Sequence, residues 1–204
     1  MATIGLSKPM AALYENTDTA ISYTKGTVLG KAISFSSEIE QADDNNLWGD
    51  NGIAESDKSF SSGTMTIGTD DLTQEASALI LGITPKLLEE GSDNSELVYD
   101  DDMNVPYLGF GCVVKKKRGG VYKWRAVVFP KIMFDIPPDA ADTQGESIEW
   151  QTPELTATIL RDDSEKHRWK MEATFGTEAE AVAYIRGKLG MTTTPARLAK
   201  EAAK

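Results

Sequence analysis

A chain of 204 residues, 40% of them hydrophobic, is long enough to bury a core of its own and too apolar for intrinsic disorder. Its 21 Lys and Arg against 32 Asp and Glu leave a net charge of −11 and an isoelectric point near 4.6, which argues against a basic nucleic-acid-binding surface. One cysteine, Cys112, and one histidine, His167, exclude an intrachain disulfide and a Cys/His zinc cluster.

Met1–Thr19 lacks the charged start and apolar core of a signal peptide, which predicts synthesis in the cytoplasm; it reads as a short N-terminal arm. No apolar run approaches the ~18 residues of a membrane span, so no membrane partner is expected. Lys31–Gln41 alternates, with Ile33, Phe35 and Ile39 on one face and Ser34, Ser36, Glu38 and Glu40 on the other. That period predicts a half-buried strand. Ala54–Gly68 resumes with Phe60, Met65 and Ile67, the last two set against Thr64 and Thr66. The two strands are expected to form one long hairpin around the loop 41–53.

Asp70–Gly82 reads as a helix. Asp71 with Gln74 resembles a capping box, Leu72, Ala76, Leu79, Ile80 and Ile83 form its apolar face, and Gly82 is its stop. Glu89–Asp102 reads as loop. Val105–Lys117 and Val121–Pro130 predict a hairpin turning at Arg118-Gly119-Gly120, and Pro130, Pro137 and Pro138 break up the chain beyond it. Ser147–Gln151 and Glu154–Arg161 predict another strand, with Pro153 marking a bulge or edge. A last strand alternates Trp169, Met171, Ala173 and Phe175 against Arg168, Lys170, Glu172 and Thr174. Thr177–Leu189 predicts a helix with a Thr177/Glu180 capping box and Gly190 as its end. The sum is a mainly β fold, an antiparallel sandwich or barrel with one packed helix and a short C-terminal helix. The domain spans 1–190 and residues 191–204 form a tail.

Catalytic chemistry finds little support. Cys112 lies in the apolar run Leu108–Val114 and reads as a buried small hydrophobe; His167 lies in a charged run and reads as a surface residue. No nucleophile–base pair emerges, so no enzyme is expected. Asp44, Asn46, Gly49 and Glu55 fall at positions 1, 3, 6 and 12 of a calcium loop. Trp48, however, stands at position 5, where an oxygen ligand is required. No metal and no cofactor are expected. The consecutive acids Asp100, Asp101 and Asp102 read as a solvated face. Lys115-Lys116-Lys117-Arg118-Gly119-Gly120 has neither the glycine spacing nor the C-terminal helix of a phosphate loop.

The charge layout is more informative. Glu38–Asp57 carries seven acids and no base, Glu89–Asp102 another seven, and Lys115–Arg125 six bases and no acid. Such a monomer is suited to pair head to tail with its own copies, acidic loop to basic hairpin. Leu47, Trp48 and Asp50 on one side, and Lys115, Lys116, Lys117 and Arg118 on the other, are the candidate contacts.

In the order of these parts the chain resembles the major tail proteins of long-tailed phages, the phi-13 type of tail tube protein. The resemblance covers roughly 1–189. It rests on KAISFSSEIEQ, the acidic loop, LTQEASALILG, VPYLGFGCVVKKKRGG with YKWRAVVFPK, and ELTATILRD before a Trp-containing last strand. It implies a non-enzymatic virion protein whose six copies form a ring and whose rings stack into a tube for DNA ejection. Ser34, Ser36, Glu38 and Glu40 would then face an acidic lumen that DNA passes without binding. Tape-measure, tail terminator and tail-tip proteins would be its other partners. The alternative is a soluble calcium- or carbohydrate-binding β-sandwich module that uses Trp48 as a stacking platform.

Overall fold

The computed structural model describes residues 2–17, 20–42, 45–89, 94–139, 143 and 152–191, with Asn45, Leu47, Gly49 and Asp57 described by backbone only. The expected strand at Ser147–Gln151 and the tail beyond Met191 lie outside the described residues. Within them, twelve strands and two helices run in the order β1 (Ala2–Thr17), β2 (Ala20–Val28), β3 (Ala32–Gln41), β4 (Asn45–Gly49), β5 (Gly52–Asp57), β6 (Phe60–Thr69), α1 (Gln74–Leu81), β7 (Lys86–Leu87), β8 (Ser95–Glu96), β9 (Leu108–Arg118), β10 (Val121–Phe134), β11 (Glu154–Leu160), β12 (Met171–Phe175) and α2 (Glu178–Lys188). Eight of the strands form one antiparallel sheet in the order β2-β1-β9-β10-β11-β6-β3, with β12 beside the first half of β10. The fold is mainly β, a sandwich-like sheet with helices packed on it.

The sheet is built on β9 and β10. Their turn is Gly119-Gly120, both with positive φ, as a two-residue hairpin of right-handed twist requires. Past the turn both faces of the pair are buried. Phe110, Cys112, Val127 and Phe129 face one core, with Ile80 and Leu81 of α1 and Phe35 of β3. Val113, Ala126 and Val128 face a second core beneath Ala181, Ile185 and Leu189. Rings gather in the first core, where Phe35 lies 6.3 Å from Phe110 and Phe110 meets Phe134 edge-on at 6.5 Å. Glycine lets α2 approach: a Cβ on Gly111 would come within 2.5 Å of Ile185, and one on Gly109 within 2.5 Å of the Tyr23 ring.

Several expectations need correction. The N-terminal arm is β1, a 16-residue strand, paired with β2 and β9. Its alternation is hidden because Met10, Ala11 and Ala12 are buried toward both cores and the register shifts between Ser7 and Met10, where Lys8 has φ +54. Pro130 does not end β10. It sits at a register shift between Phe129 and Ile132, where the strand exchanges β12 for β11 as partner. Arg118 belongs to β9 rather than to the turn. The cap of α1 is Thr73, whose hydroxyl accepts from Ala76 N, rather than Asp71. Asp70 instead accepts from Lys31 N at 2.6 Å and pins the start of β3. Gly82 at φ +70 ends α1 as expected, and α2 carries both halves of its Thr177/Glu180 capping box.

A polar hub closes the β11–β12 connection. Asp162, 2% exposed, accepts from the backbone N–H groups of Ser164 and Arg168 and from Arg168 Nε at 3.1 Å. Next to it, Asp163 accepts from Lys131 Nζ and the Tyr14 hydroxyl, both at 2.8 Å. The Lys131 contact, and after it Tyr14, holds its carboxyl below the usual carboxylate range.

Phe110→Ala should cost about 3–5 kcal/mol, the price of a large aromatic cavity, read as a lower urea midpoint at unchanged slope. The depressed Asp163 pKa makes its stabilisation complete above the ordinary carboxylate value and lost as pH falls through the folded one. Asp163→Asn should therefore lower the urea midpoint at pH 7 and make much less difference at pH 3.

Candidate assembly surfaces

Three surfaces hold the residues singled out from the sequence. The first is the arm that continues the β3–β6 hairpin. Ala42 N donates to Ser59 O at 2.8 Å, and β4 and β5 form a separate two-stranded ladder beyond it. Asp50 and Asn51, at φ +47 and +67, form the two-residue turn, as the Asp-Asn-Gly chemistry predicts. Asn46 and Glu55 therefore lie along an extended ladder instead of curling around one ion. Trp48 is 66% exposed and pairs across the ladder with Ile53, itself 55% exposed. Ile53 is a contact the sequence does not single out. Leu47 pairs with Glu55, and its side chain lies outside the described residues. At the base of the arm, Phe60 stacks on Trp169 at 4.7 Å, and the Arg161 guanidinium lies over Phe60 while donating to its carbonyl.

The second surface is the β9–β10 tip. The four bases do not form one patch. Lys115 and Lys117 share a face with Trp124 and Tyr122, and both ammonium groups lie within about 5 Å of the Tyr122 ring centroid. Lys116 lies opposite Lys123 on the other face, while Arg118 pairs with Val121 beside the turn; Lys117 and Arg118 are exposed.

The third surface is the outer face of β3, β6 and β11. Ser34, Ser36, Glu38 and Glu40 are all exposed. Ile33, expected in the core, is 53% exposed, because the register shifts between Ala32 and Ser34 and turns it outward. The ladder extends the polar face in rows: Ser34–Gly68–Glu154, Ser36–Thr66–Thr156, Glu38–Thr64–Thr158 and Glu40–Ser62. Thr156 and Thr158 do not stand out in the sequence, although LTATIL repeats the alternation of TMTIGT. These rows contain only glycine, hydroxyls and carboxylates. Ser62 Oγ donates to Glu40 at 2.5 Å within them.

Cys112 is fully buried, and burial pushes its thiol up to about 12. His167 is exposed, with Nδ1 3.3 Å from the Asp162 carbonyl. Among the described residues no group of three or more acids, histidines or cysteines is placed to hold a metal.

Trp48→Ala should leave the urea midpoint of the monomer nearly unchanged, within about 0.5 kcal/mol, because the ring is mostly in water. A large loss of stability would make Trp48 a packing residue instead. No protein-family model matches the chain, and neither does any curated protein.

Proposed function

We propose that the chain is a structural tail tube subunit that assembles into stacked rings and forms a conduit for DNA. The observation that carries this reading is the outer face of β3, β6 and β11, three strands wide and paved with serine, threonine and glutamate. A wall of small hydroxyls and carboxylates gives a passing polyanion no apolar grip and no cation to bind, and its charge repels phosphate. The long resemblance to phage major tail proteins agrees with such a wall. So does the separation of acidic arms from a basic hairpin, which suits heterologous contacts that close into rings. Six copies of a domain this size would form a ring on the order of 100 Å across. In this reading the protein belongs to the virion, and its partners are its own copies and the tape-measure, terminator and tip proteins.

The exposed Trp48 also fits a carbohydrate-binding module, since an open indole face stacks on sugars. Such a module would show a melting shift with glycan and no assembly at high concentration.

Concentrated wild-type protein should form rings or tubes in negative stain that retain no DNA at moderate salt. Tubes of the double variant Glu38→Lys, Glu40→Lys should still assemble and should retain DNA in a salt-dependent manner. Failure of the wild type to assemble sinks the tube reading. Tubes of the variant that stay free of DNA would remove this face from the lumen.

A further inference from the structure

The sheet curls until β1 approaches β3, but the two strands do not pair. Among the described residues the first half of β1 pairs only with β9, and β3 only with β6, so the facing edges of β1 and β3 carry no ladder partner there. Between these edges lies a cleft of about 560 Å³, with Val114 and Arg125 at its floor.

Both rims are shaped in the same way. In β1 the register shifts between Thr3 and Gly5, at Ile4; in β3 it shifts between Ala32 and Ser34, at Ile33. Each irregularity turns an isoleucine outward, and Ile4 and Ile33 are 49% and 53% exposed at the cleft. Its floor is positive. Among the described residues Arg125 makes one long ion pair, 3.6 Å to Glu172, whose other oxygen is held by Lys170 at 2.6 Å. Arg125 Nε is buried with no hydrogen-bond partner among the described residues. Lys116 and Lys123 continue the charge on the same face of β9 and β10.

The two strands come within 8 Å of each other, too close for another strand to pair between them, so the cleft fits the side chains of a segment laid across its mouth. The charge calls for an acidic segment, and the isoleucine rims call for apolar side chains on it. The β4–β5 arm has both properties: Trp48 and Ile53 are exposed, Asp50 and Glu55 are acidic, and Glu38–Asp57 holds no base. The arm leaves from the Gln41 end of β3, whereas the cleft lies along Ile33–Ser37. Donor and acceptor are therefore separate patches, the condition for a contact that propagates from copy to copy.

We propose that the cleft between β1 and β3 receives the β4–β5 arm of a second copy of this chain. This rests on the reading of the protein as self-assembling, and it assigns the partner of the arm within that assembly: the strand cleft rather than the Lys115–Arg118 tip.

Cysteine crosslinking tests it, because native Cys112 is buried and does not compete. Ile33→Cys and Ile53→Cys variants are purified separately, mixed at assembling concentration and oxidised. A covalent heterodimer formed in higher yield than from either variant alone is expected. Adding Glu55→Lys to the arm variant should abolish most of that yield. A mixture of Val121→Cys, at the β9–β10 tip, with Ile53→Cys is run in parallel. Crosslinking there and not at Ile33 overturns the cleft while leaving self-assembly intact. Crosslinking at Ile33 without rings or tubes in the microscope keeps the cleft and removes the tube. No heterodimer in either mixture overturns the docking altogether.

Discussion

Burial of β9 and β10 on both faces is the constraint on which the rest of the structure depends. A strand pair with apolar side chains above and below cannot stand in water on either side. One face is covered by the sheet's own far end, which curls over with α1. The other is covered by α2, which reaches the sheet only because Gly109 and Gly111 carry no side chain. The covers are shorter than the pair. Where they stop, Val113 and Val114 give way to Lys115 and Lys116, and the hairpin continues as a charged, aromatic-backed tip. The boundary between core and surface is thus set along the strands by the length of the elements lying over them.

The same economy explains the irregularities. β10 is long enough to serve two partners on one edge, and the change of partner falls at Pro130, a residue that has no N–H to give either of them. The helix caps, the Asp70 contact to Lys31 and the Asp162 hub fix the ends of elements rather than their middles. Surface ion pairs such as Lys31–Asp70 add little by themselves. They matter by holding a turn in one conformation.

A strand with one wet and one dry face is legible in the sequence. β3, β6 and β12 alternate, and their polar and apolar residues separate as the period predicts, except where a bulge intervenes. α2 is legible from its Thr177 cap and Gly190. β1 is not, because burial of Met10, Ala11 and Ala12 toward both cores erases alternation and the shift near Lys8 resets the remainder; β2 is not either, and none of its residues is fully buried. A bulge leaves no mark on composition, so Ile33 reads as core. The polar wall is half legible: Ser34 to Glu40 stand out by local period, but Thr156 and Thr158 join them only through the register of β11 on β6, a pairing between segments about ninety residues apart in the chain. Trp48 stands out as an apolar residue in an acidic loop, whereas Ile53 gains meaning only as its cross-strand neighbour.

The arm itself has a mechanical consequence. Its base is tied to the end of the β3–β6 ladder by the Ala42–Ser59 hydrogen bond, and β4 and β5 form a two-stranded ladder of their own, so a pull along their axis loads that ladder lengthwise. Hydrogen bonds in such a ladder share the load in shear; a load applied across the strands would open them one at a time. At the root, Phe60 stacks on Trp169 and lies beneath the Arg161 guanidinium, which ties the base of the arm to the connection ahead of β12. The projection is thus a two-stranded ladder whose base meets an aromatic clamp.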